Sequence, residues 1–72
     1  MNLLTDMLRK SAEADKAKAL LSLELLSDRA VGIGDHSTED FYKNAEEALT
    51  MLVDADDRLN AIKIYLDKKV VL

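Results

Sequence analysis

The chain has 72 residues, 49% hydrophobic, 33% charged and 4% aromatic, with a formal net charge of −4 and no cysteine, proline or tryptophan. A chain this short forms one domain, residues 1–72, with a marginal core; it has no disulfide framework, no thiolate metal site and no cysteine nucleophile, and its single histidine cannot build a His-rich site. No apolar run is long enough to span a membrane and no secretory signal pattern is present, so a cytoplasmic setting without a membrane partner is expected.

The first predicted element is a helix from about Leu3 to Arg29, built from alanine, leucine and charged residues that favour the helix. Its apolar residues occupy two sides. Leu4, Leu8, Ala12, Ala19, Leu23 and Leu26 lie on one, and Leu3, Met7, Ala14, Leu21 and Leu25 on another. Together they exceed the ~100° stripe that one neighbour covers. Leu3, Leu4, Met7, Leu8, Ala14, Leu21 and Leu25 are therefore expected to form an oligomer interface. Between the two sides runs a polar stripe of Ser11, Asp15, Lys18 and Ser22. Asp15 and Lys18 either reach solvent at the edge of the interface or pair with each other and set register between chains.

The only two glycines, Gly32 and Gly34, fall in the middle of the chain and predict a loop over residues 30–37. Gly32 is suited to the left-handed conformation that ends a helix. Ser37 is placed to cap the next helix, with Glu39 and Asp40 near its positive end.

The second predicted helix runs from about Thr38 to Lys68. Phe41, Ala45, Ala48, Leu52, Ala55, Leu59, Ile62 and Leu66 recur at alternating intervals of four and three, which is a heptad packing seam. Ala48 and Ala55, consecutive at one seam position, predict a close approach of the facing helix. Tyr42 and Tyr65 flank the seam as rim residues. Two long helices joined by a short loop make an all-α antiparallel helical hairpin. A lone hairpin would leave the second side of helix 1 wet, so a homodimeric four-helix bundle is expected.

Charge is distributed unevenly. Helix 1 is balanced, with five bases and five acids. From Asp35 to Asp57 there are eight acids against one base, a local balance of −7. Acids early and bases late complement the helix dipole and solubilise the surface; the functional reading is that Glu46, Glu47, Asp54, Asp56 and Asp57 form an acidic face for a basic partner. Direct nucleic-acid binding is disfavoured, because no Lys/Arg stripe exists and the aromatics are not interleaved with bases.

Candidate chemistry is sparse. His36, Glu39 and Asp40 are the only conceivable metal ligands, a weak pattern beside the ordinary reading of a loop histidine next to cap residues. Gly32-Ile33-Gly34 lacks the third glycine and preceding strand of a dinucleotide fingerprint. Asp54-Ala55-Asp56-Asp57 lacks the loop glycine of an EF-hand. No base is placed to activate a serine, threonine or tyrosine, so no enzyme and no cofactor is expected.

The segment Val31-Gly-Ile-Gly-Asp-His-Ser-Thr-Glu-Asp-Phe-Tyr42, followed by Asn44-Ala-Glu-Glu-Ala-Leu49 and Asp54-Ala-Asp-Asp-Arg-Leu59, resembles small uncharacterised proteins encoded by tailed phages of marine bacteria. The resemblance covers about the second half of the chain. It brings no activity or functional residues, and implies a small accessory protein acting on host or virion components. The molecular activity is not written in the sequence. The expectation is a non-enzymatic helical interaction module whose partners are itself and a basic host or virion protein. The alternatives are an RNA-binding hairpin dimer using Arg9, Lys10 and Lys16, which Asp6 and Glu13 weaken, and a purely structural homo-oligomer.

Overall fold

The computed structural model describes residues 2–28 and 38–67. The expectations for Gly32, Gly34, His36 and Ser37 lie outside those residues. Helix α1 spans Leu3–Asp28 and α2 spans Thr38–Ala61; a π-helical segment, Ile62–Leu66, continues α2. The described residues are entirely helical apart from the flanking Asn2 and Asp67.

Helix α1 starts at a cap the sequence reading did not single out. The Asn2 Oδ1 accepts a hydrogen bond from the Thr5 backbone N–H at 3.1 Å, satisfying one of the free amides of the first turn. The Asn2 carbonyl accepts from Asp6 N–H at 3.0 Å and begins the helical ladder. Helix α2 carries Glu39 and Asp40 in its first turn and Arg58 in its last, so its charges oppose its dipole at both ends. Helix α1 has Asp6 in its first turn but no base in its last, where Asp28 sits instead.

The two helices pack as an antiparallel pair. Residues early in α1 meet residues late in the second helical stretch: Arg9 pairs with Asp67, Asp15 with Arg58, and Lys16 with Asp56. This register sets Ala19 at about the level of Ala55. The core is made of small side chains. Ala12, Ala19 and Ala55 are 0% exposed, Ala48 and Ile62 are buried, and Thr5 is the one buried polar residue among those described. Among the described residues no large side chain is fully enclosed. Phe41, Ala45, Leu52 and Leu59 are half-buried on α2, as are Leu23 and Leu26 on α1. Phe41 also meets Tyr42 edge-on, with ring centroids 5.8 Å apart.

The end of the second helix differs from the expected continuous α-helix to about Lys68. The Asp67 N–H bonds the Ile62 carbonyl at 2.8 Å, five residues back rather than four. A turn widened in this way rotates the following residues about the axis. Leu66, in register with the seam by spacing alone, is exposed, whereas Ile62 at the start of the turn remains buried. The same widened turn carries Asp67 to a position where it accepts from Arg9.

Candidate functional site

Three groups of residues are available to do something on this hairpin: the charged ties across its seam, an apolar groove near the chain ends, and the exposed faces of the two helices.

Arg58 is the centre of the ties. Its Nη2 donates to Asp15 Oδ2 at 2.6 Å, and its Nε lies 3.0 Å from Asp54 Oδ2. The second contact is a charge pair rather than a hydrogen bond, since the buried Nε–H has no aligned acceptor. The hydrogen bond to Asp15 holds the Arg58 guanidinium above its ordinary pKa, with desolvation opposing and the Asp54 and Asp15 charges reinforcing it. Arg9 repeats the arrangement toward the chain ends, donating to Asp67 across the seam and to Asp6 at 3.0 Å on its own helix. Its pKa is raised as well, first by the Asp67 hydrogen bond. Lys16 meets Asp56 at 3.0 Å on the other side of the interface. Asp15 and Lys18 stand 4.0 Å apart, but the stronger partner of Asp15 is Arg58 on the opposite helix. All these groups are partly solvated, so the pairs serve register more than stability.

Next to Arg58 an open apolar groove of about 380 Å³ is lined by Leu8, Ser11, Ala61, Ile62, Tyr65 and Leu66. The π-helical turn shapes it, because Tyr65 and Leu66 belong to that turn and both remain exposed. Its walls offer one cation, Arg58, and one hydroxyl group, Ser11, besides Tyr65, and the rest of its lining is apolar.

The helix faces are asymmetric. Leu3, Leu4, Met7, Leu8, Ala14, Leu21 and Leu25 of α1 are all exposed, Leu8 at the edge of the groove and Leu3, Met7, Ala14, Leu21 and Leu25 on the side away from the Ala12 and Ala19 core. Exposed Leu20, Leu49 and Val53 form a smaller patch where the helices meet. On α2, Glu46, Glu47, Asp54, Asp56 and Asp57 are exposed. They are not equivalent. Asp54 and Asp56 are engaged with Arg58 and Lys16, whereas Glu46, Glu47 and Asp57 have no ion pair among the described residues. Sequence reading treated the acids of the Asp54–Asp57 run as one acidic face and missed that Asp56 ties the hairpin through Lys16 while Asp54 pairs with Arg58 on its own helix. The signal available was Arg58, four residues after Asp54.

Glu39 and Asp40 are exposed in the first turn of α2. Among the described residues no cluster of histidine and carboxylates is arranged to hold a metal ion, and no helix is long and apolar enough to cross a membrane. Comparison of the chain with protein-family models, with curated proteins and with solved structures gave no match.

Proposed function

We propose that the protein is a non-enzymatic helical interaction module that self-associates through α1, as a homodimeric four-helix bundle, and presents an acidic face of α2 to a basic protein partner. The observation that carries the reading is that α1 bears an exposed apolar stripe of Leu3, Met7, Leu21 and Leu25 on the side away from the Ala12 and Ala19 core, while the exposed Glu46, Glu47 and Asp57 of α2 have no ion pair among the described residues. A surface of one charge sign steers a partner of the opposite sign, and an apolar stripe excludes water when covered. The resemblance of residues 31–59 to phage-encoded proteins supports a phage origin, action in the host cytoplasm, and a basic host or virion protein as the partner. The sparse chemistry of the exposed residues supports a binding role without cofactor.

The test is capture of host proteins on the immobilised chain at low and moderate salt. A specific partner should be retained at low salt, lost as salt rises, and lost with the combined Glu46→Gln, Glu47→Gln and Asp57→Asn variant. That variant leaves Asp54 and Asp56 in place, so the hairpin ties persist. Retention of the same partner by the variant would refute the acidic-face reading. Recovery of RNA sensitive to Arg9→Ala and Lys16→Ala would favour the nucleic-acid alternative instead. An absence of any partner would leave a purely structural homo-oligomer.

A further inference from the structure

The apolar face of α1 has an internal order. Leu3, Met7, Ala14, Leu21 and Leu25 follow one another at intervals of four, seven, seven and four, the same in either chain direction. On a helix these positions form one stripe, on the side away from the Ala12 and Ala19 core. Leu3 is 74%, Met7 54%, Leu21 55% and Leu25 51% exposed, with Ala14 also exposed at the midpoint. The large residues stand at the two ends and the small one at the centre.

We infer that this stripe is the seat of a second copy of α1, crossing antiparallel with Ala14 on the two-fold axis. Leu3 then meets Leu25 of the second copy, Met7 meets Leu21, and Ala14 meets Ala14. Such a contact is isologous and closes as a dimer. The small residue at the axis lets the two backbones approach closely, and the leucines fill the wider ends. This inference rests on the reading that α1 is the self-association surface, and adds the direction and register of the contact.

Three observations select this occupant. First, the charges fit. Helix α1 has Asp28 in its last turn and no base among the described residues of that turn. Antiparallel pairing in this register brings Asp28 beside the positive first turn of the partner helix, whereas parallel pairing would place two Asp28 residues and two negative ends together. Second, α1 is nearly balanced, with four bases against five acids, so two copies meet with far less net repulsion than the acidic α2 would impose. Third, the area is sufficient. A stripe about 33 Å long, covering about a third of the helix circumference, hides about 1,000 Å² over both chains, where specific interfaces begin.

The absence of cysteine makes the register directly measurable. Under mild oxidation at micromolar concentration, Ala14→Cys should form a disulfide dimer. Met7→Cys alone and Leu21→Cys alone should not, while an equal mixture of the two should form the mixed disulfide, because paired cysteines need Cα atoms within about 7 Å. Sedimentation should show the unmodified chain as a dimer and Ala14→Glu as a folded monomer, with affinity reduced about 100-fold or more. Self-crosslinking of Met7→Cys at the rate of Ala14→Cys would overturn the antiparallel register while leaving self-association intact. A chain monomeric throughout would overturn both. A dimer indifferent to Ala14→Glu would overturn the placement of Ala14.

Discussion

Ala55→Leu places a large side chain where the hairpin has only small ones. Ala55 and Ala19 are both 0% exposed, and the antiparallel register holds them at about the same level of the interface. With space available, three added carbons would contribute about 2 kcal/mol through burial. Here the space belongs to the facing backbone, so the helices must separate toward the upper end of the ~8–10 Å packing range. That separation loosens the neighbouring Ala48 and Ile62 contacts, and the net effect of overpacking is a loss of about 1–3 kcal/mol. At roughly 4–8 °C per kcal/mol for a domain of this size, the melting temperature should fall by about 4–24 °C. Circular dichroism at fixed protein concentration measures this, the concentration being held because the melting of any associating chain depends on it. Thr50→Leu, on an exposed position of α2, is the matched control and should stay within about 0.5 kcal/mol of the parent. A rise in melting temperature for Ala55→Leu would show that the helices do not approach closely at this layer.

Leu52→Ala should cost about 1–2.5 kcal/mol, the lower part of the range for core leucines, because Leu52 is only half-buried; a neutral result in urea denaturation would remove it from the seam. A double-mutant cycle with Asp15→Asn and Arg58→Gln should give a small favourable coupling at low salt that shrinks in molar salt, since the pair is partly exposed. Zero coupling at low salt would refute the tie. Asn2→Ala should cost about 0.5–2 kcal/mol and speed amide exchange in the first turn of α1, both through loss of the 3.1 Å cap.

The charged groups of the surface divide into two sets. Charge pairs such as Lys16–Asp56 lie along the edges of the seam, where they fix register at little net energy. The carboxylates outside those pairs, Glu46, Glu47 and Asp57, can change without loosening the hairpin. Variants at these three positions therefore separate binding from folding, which variants at Asp54 or Asp56 would not.

The sequence by itself determined the helical class and the two-helix division. The composition lacks proline, and both glycines fall between two helix-forming stretches, so local propensity and chain punctuation agree. Periodicity of four and three along α2 marks the side on which Ala48, Ala55 and Ile62 become buried, because burial of one helix face is a property of spacing. Helix α1 was less legible: apolar residues on two sides satisfy periodicity twice, and only a neighbour decides which side is covered. Tertiary packing turned Ala12, Ala19 and the unremarked Thr5 inward and left Leu3, Met7 and Leu21 outside. It also gave Asp15 to Arg58 rather than to Lys18 alone, a choice made by residues 43 positions apart. The π-helical turn at Ile62–Leu66 belongs to the same category. One extra residue in that turn is invisible to a heptad count, yet it moves Leu66 out of the seam and brings Asp67 to Arg9, because the angle at which a side chain leaves a helix depends on every hydrogen bond before it.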